Sequence, residues 1–171
     1  MIPYSRQHLF PKDIEKVVKV LKSNYLTQGP EVKKLEKKLS NFCKVKFAKV
    51  VNSATAALHL TCMSMGLKKN DYLWTVPISF VASSNCGLYC GAKIDFVDIN
   101  EHTFNIDVDA LIKKLRIAKK INKLPKILVI VHLAGNPCNL SKINLLAKKY
   151  KFKIIEDASH ALGTKYKRSY I

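Results

Sequence analysis

The sequence predicts an α/β fold, a mostly parallel sheet flanked by helices, and three observations carry that prediction. Apolar residues at helical spacing alternate along the chain with short runs rich in branched apolar residues. One of these runs, Ile127 to Val131, has no polar position, as expected of a strand buried on both faces. The stretches joining the runs are long enough to hold helices, which favours parallel crossovers. At 171 residues the chain suffices for one domain with a sizeable core.

Each element follows in order. Pro11 to Lys22 places Ile14, Val17, Val18 and Leu21 on one helical face, with Pro11 suited to the first turn. Pro30 to Phe42 repeats the scheme with Val32, Leu35, Leu39 and Phe42. Phe47 to Val51 is expected to be a strand and Thr55 to Met65 a helix. Tyr72 to Val76 reads as a strand, Phe80 to Tyr89 as a helix and Lys93 to Val97 as a strand. Asp107 is placed to cap a helix that runs to Ile117. After the Ile127 to Val131 strand come a helix, Leu140 to Tyr150, and a strand, Phe152 to Ile155. Lys119 to Pro125 is the expected exposed loop, and there is no internal repeat or low-complexity linker.

Lys and Arg number 30 against 12 acidic residues, for a net charge of +18. Such a balance raises the question of a nucleic-acid partner. The charges, however, fall as Lys-Lys pairs on helix faces, such as Lys33-Lys34 and Lys148-Lys149, with no Arg-rich stripe among aromatics. They read as a solvated lysine surface, and nucleic acid is not the expected partner. No apolar run reaches the ~20 residues of a membrane span, and the first residues do not read as a signal peptide. Five cysteines without a Cys-x-x-Cys pair read as reduced thiols in a cytoplasmic protein, with no metal site expected.

Three segments carry chemistry. Val50 to Leu58 is an apolar run, a turn of small residues and a helix start, where the free N–H groups of the first turn and the Thr55 hydroxyl can reach a phosphate. Asn52 and Ser53 serve equally as ordinary caps. Trp74 to Asn85 sets Phe80 at a strand-to-helix junction, as a stacking face for a flat ligand or as an anchor between helix and sheet. Ile155 to Gly163 sets Asp157 at the tip of a strand with His160 three residues on. That is where α/β proteins place ligand chemistry, although an Asp there also caps loops. A phosphate cradle, an aromatic face and an acid for a ring nitrogen together suit pyridoxal 5'-phosphate.

The same segments resemble the DegT/DnrJ/EryC1/StrS family of sugar aminotransferases. The resemblance extends through Pro3-Tyr4-Ser5-Arg6-Gln7, Tyr25-Leu26-Thr27-Gln28-Gly29-Pro30, Leu124-Pro125-Lys126 and Val131-His132-Leu133-Ala134-Gly135, and so covers the whole chain. It implies the N-terminal part of the large domain of a fold type I enzyme dependent on pyridoxal 5'-phosphate. It further implies Ala54 and Thr55 at the phosphate, Phe80 on the ring, Asp157 at the pyridinium nitrogen and His160 beside the ring oxygen. Tyr4, Thr27 and His132 are the weaker matches, near the sugar nucleotide or the lower wall of the site, with strand-end and turn roles as the alternatives for His132 and Thr27. The implied substrates are a UDP-linked 4-keto-6-deoxy-N-acetyl sugar of pseudaminic acid biosynthesis and an amino donor, L-glutamate, with a homodimer as the full-length assembly. The chain departs from the pattern in one respect. The family's Schiff-base lysine lies downstream of this Asp, in a segment not found before Ile171. Lys165 and Lys167 fall instead in a stretch that the family folds as a hairpin. The expectation is a partial major domain over 1–171, without the C-terminal portion and small domain, and inactive alone. The alternatives are a non-catalytic truncated remnant or a basic nucleic-acid-binding protein.

Overall fold

Strand-forming runs separated by helix-forming ones leave the backbone few ways to close its hydrogen bonds, and a computed structural model describes the outcome for residues 6–171. The chain divides into two compact units, Met1–Val50 and Val51–Ile171.

Among its described residues the first unit contains two helices, α1 (Pro11–Leu21) and α2 (Pro30–Cys43). Each has Pro at its start, where the missing N–H costs nothing. The Asp13 carboxylate accepts the Phe10 N–H at 3.1 Å and closes the first turn of α1. Lys44 ends α2 in the left-handed region, φ 55°. None of the described residues of this unit is buried. The strand expected over Phe47 to Val51 does not form. The Val50 N–H donates at 3.3 Å to Glu36, whose other carboxylate oxygen pairs with Lys49, so a side chain takes the place of a ladder partner.

The second unit is a parallel sheet in the order β2-β1-β3-β4. The strands are β1 (Tyr72–Thr75), β2 (Lys93–Phe96), β3 (Ile127–Val131) and β4 (Lys153–Asp157). Its helices are α3 (Ala54–Ser64), α4 (Ala82–Tyr89), α5 (Val108–Lys120) and α6 (Leu140–Tyr150). Asp107 does cap α5, accepting the Ala110 N–H at 2.7 Å, and the helix runs on to Lys120, which shortens the expected loop. Strand alternation sorts the core into two layers. Leu73, Ile127, Val129 and Ile155 meet Leu58 and Cys62 of α3 and Cys86 of α4. Trp74, Leu128 and Ile130 meet Leu111, Leu115 and Ile143 of α5 and α6. β3, central and buried throughout, serves both layers. Chain direction along the sheet reverses between β1 and β3, the switch point beside which open α/β sheets bind ligands. The hairpin β5 (Lys165–Tyr166) and β6 (Ser169–Tyr170) follows. Among the described residues no helix is long and apolar enough to cross a membrane.

Candidate active site

Asp157 is the last residue of β4, and its burial follows from the register. Val131 of β3 pairs with Asp157, so the carboxylate sits beside the central strand at the edge of the switch point. It is the one buried carboxylate among the described residues. Oδ1 accepts the Ser159 hydroxyl at 2.6 Å and the Ser159 N–H at 3.2 Å. Oδ2 accepts the Ser83 hydroxyl at 2.9 Å, from the first turn of α4. Among the described residues no Lys, Arg or His forms an ion pair with it. A buried anion held by three neutral donors and by no cation is a costly arrangement. A cationic group on a ligand would complete it, and a protonated pyridine nitrogen has the right charge and a single N–H to give.

α3 brings the second piece. Its C-terminal end is tied to the N-terminal edge of the sheet, where Lys126 Nζ donates to the Gly66 carbonyl and Lys153 Nζ to that of Met65. The helix packs on the sheet through Leu58 and Cys62 and, with 11 residues, spans about 16 Å. Its N-terminus therefore reaches the C-terminal edge, the edge that carries Asp157. Ser53 caps this end by accepting the Ala56 N–H at 3.1 Å, and its carbonyl accepts the Ala57 N–H. Among the described residues, the N–H groups of Ala54 and Thr55 have no intramolecular acceptor. They are the open donors of a helix N-terminus, where the dipole favours an anion such as a phosphate.

Phe80 lies two residues before α4, in the turn that follows β1, rather than inside the helix expected from Phe80. Phe80 is 75% exposed and borders a cavity of about 240 Å³ that Thr75, Ser79, Ser83 and Phe96 also line. The backbone of Phe80 is fixed because its carbonyl accepts the Ser83 N–H at 3.1 Å. Phe80 is thus joined to Asp157 through Ser83.

His160 is exposed on the turn after Asp157. Its carbonyl closes on the loop after β3, where a Cβ on Gly135 would lie 2.9 Å from the oxygen. Gly135 also has φ +81°, so both space and backbone require glycine there. His132 is fully buried. Its Nδ1 accepts the Cys138 N–H at 3.1 Å, which leaves the proton on Nε2 to donate to Glu156 at 3.0 Å. With both nitrogens engaged and no exposed surface, the ring pins the loop beside Asp157, whose carbonyl accepts the His132 N–H. Burial pushes the neighbouring Cys138 thiol up to about 12. Thr27 lies in the other unit, on an exposed turn between α1 and α2, and Tyr4 falls outside the described residues. Lys165 Nζ lies over the Tyr170 ring and Lys167 Nζ donates to Ser141, so both extend from the hairpin.

Sequence reasoning missed Ser79, Ser83 and Ser159. Serines near a helix start read as caps, and nothing local shows that Ser83 meets a residue 74 positions on.

The model of the DegT/DnrJ/EryC1/StrS aminotransferase family matches residues 8–171. The chain is 42% identical over 167 residues to the UDP-4-amino-4,6-dideoxy-N-acetyl-beta-L-altrosamine transaminase of Campylobacter jejuni, covering 98% of this chain and 43% of that protein. The fold superposes with a TM-score of 0.88 on Helicobacter pylori PseC, an aminotransferase involved in the biosynthesis of pseudoaminic acid. That match has 34% identity and covers 99% of this chain and 44% of PseC. The PLP-form of a candidate sugar aminotransferase from Streptococcus pneumoniae gives a TM-score of 0.87 at 29% identity, over 99% and 45% of the two chains. The chain therefore spans less than half the length of the relatives it matches.

Proposed function

The chain belongs to the DegT/DnrJ/EryC1/StrS aminotransferase family, and from that premise we propose that it forms the cofactor-binding part of a nucleotide-sugar aminotransferase. The reaction is transfer of an amino group from L-glutamate to C4 of a UDP-linked 4-keto-6-deoxy-N-acetyl sugar, on the route to pseudaminic acid. Support for the substrate comes from the Campylobacter and Helicobacter relatives. The observation that carries the site is Asp157, buried and accepting three hydrogen bonds, with no cation paired to it among the described residues.

Pyridoxal 5'-phosphate, when bound, supplies an electron-accepting ring for breaking the C–H bond next to the amine. Asp157 keeps the ring nitrogen protonated, which that role needs. The N–H groups of Ala54 and Thr55 hold the phosphate, with the Thr55 hydroxyl as a further donor. Phe80 offers its exposed ring face for stacking, and His160 stands beside the ring oxygen. Thr27 and Tyr4 are assigned to the sugar nucleotide. His132, enclosed, is assigned to the wall beneath the site. Neither Lys165 nor Lys167 is assigned a covalent role, since both extend from the hairpin. Turnover is expected of a homodimeric cytoplasmic protein in which this sequence is continued by the remaining length found in its relatives.

The test is an assay of that continued protein with L-glutamate and the UDP-linked 4-keto sugar, following 2-oxoglutarate and the new 4-amino sugar. Turnover that requires pyridoxal phosphate is expected. Saturable cofactor binding with no transfer to any UDP-keto sugar would overturn the substrate assignment, and no binding at all would overturn the site.

A further inference from the structure

Two serines near the start of α4 form a directed chain into Asp157. Ser83 is fully buried, and its hydroxyl lies 2.9 Å from Asp157 Oδ2. The carboxylate can only accept, so the single proton of Ser83 is spent on it. Ser79 Oγ lies 2.6 Å from Ser83 Oγ. Ser79 Oγ also lies 3.2 Å from the Phe80 carbonyl, a longer and competing acceptor for its one proton. With the Ser83 proton committed, the shorter Ser79–Ser83 bond forms with Ser79 as donor, and the order is Ser79 to Ser83 to Asp157. The other carboxylate oxygen is filled differently. Oδ1 accepts twice from Ser159, through hydroxyl and N–H, and has used its two acceptor positions. Oδ2 accepts once within this network and has a position to spare.

Resting on the site proposed above, we infer that Ser83, oriented by Ser79, is a positioning residue that holds Asp157 so that Oδ2 is the oxygen offered to the ring nitrogen. The arrangement is asymmetric by construction. Ser159 lies two residues from Asp157 and follows it wherever the strand end moves. Ser83 arrives from another element and fixes the carboxylate against the sheet. Ser79 keeps the Ser83 hydroxyl turned toward the acid by filling its acceptor side. Thr75 lines the same cavity, and its Oγ1 is buried and makes no hydrogen bond among the described residues, so it takes no part in the Ser79–Ser83–Asp157 chain.

The experiment measures the affinities of the purified protein for pyridoxamine 5'-phosphate and for its 1-deaza analogue, in which C–H replaces the ring nitrogen. Neither probe can condense with surface lysines. The wild-type protein should prefer the nitrogen-containing ligand, and Asp157→Asn should abolish that preference. Ser83→Ala should reduce it about tenfold, the scale of one hydrogen bond to a charged group. Ser83→Thr, which keeps the hydroxyl, should restore most of it, and Ser79→Ala should reduce it about threefold. Thermal unfolding without ligand checks that each variant is folded. If Ser83→Ala weakens both ligands equally, the serine only supports the fold and the inference fails. If Asp157→Asn abolishes the preference while Ser83→Ala keeps it, the inference fails and the site stands. If the wild-type protein shows no preference, the site itself fails and this inference with it.

Discussion

At the N-terminal edge of the sheet, Lys126 opens toward Asp71 at 2.7 Å and gives a second hydrogen bond to the Gly66 carbonyl. At the C-terminal edge, Asp157 is buried deeper and forms no ion pair among the described residues. Both edges contain a carboxylate beside the central strands, yet only the first is neutralised within the protein. The Lys126–Asp71 pair is about a third exposed on each side and tethers α3 to the strand start, a contribution to stability. Asp157 is held by hydroxyls and an amide, groups that orient a negative charge without cancelling it. Protein stability alone would favour a partner or an apolar residue there. The difference separates an edge that serves the fold from the edge at which we propose the ligand binds.

Three substitutions bear on that contrast. Asp157→Ala should have the largest functional effect, a loss of about 3–5 kcal/mol in kcat/KM of the continued enzyme. Its effect on ligand-free stability should stay within about 1 kcal/mol, because an uncompensated charge leaves together with its hydrogen bonds. A large loss of stability, measured by urea unfolding, would place this edge with the other. Gly135→Ala comes next. The new Cβ would press on the His160 carbonyl in a left-handed backbone, and unfolding should become easier by about 1–3 kcal/mol. Lys126→Met should cost the least, up to about 1 kcal/mol, since the pair is partly exposed and screened. Its signature is in the pH dependence. The hydrogen bond from Lys126 holds the Asp71 carboxyl below its ordinary value. Its contribution is therefore present above the unfolded value, about pH 4, and is lost as pH falls through the lowered folded value. Lys126→Met should flatten that acid limb, and an unchanged limb would show that Asp71 draws nothing from the lysine.

Much of this was legible in the sequence. The branched run Ile127 to Val131 marked the buried central strand because such a run fits only a position covered on both faces. Asp107 marked a helix start through cap chemistry that is local. Phe47 to Val51 misled because a strand needs a neighbour as well as a pattern, and Glu36 took the Val50 N–H. Ala54, Thr55, Phe80 and Asp157 were singled out by their places at strand-to-helix junctions taken together with the family resemblance, since each residue type alone also suits a cap, an anchor or a loop. The serines were not, since their partner is fixed by strand order and register, which place β1 and α4 beside β4 across an intervening strand. His132 shows the same limit. Its residue type suggested contact with ligand, and the register of β3 against β4 enclosed it beside Glu156 instead.

The central claim is that Asp157 is reserved for a ring nitrogen, and the most direct measurement is the protonation state of that nitrogen. Pyridoxamine 5'-phosphate labelled with ¹⁵N in the ring, bound to the protein, should give the pyridinium chemical shift at pH 8, where the free ligand would already be losing the proton. In Asp157→Ala the signal should move to the unprotonated position. The same shift in both proteins, or a neutral ring in the wild type, would contradict the account.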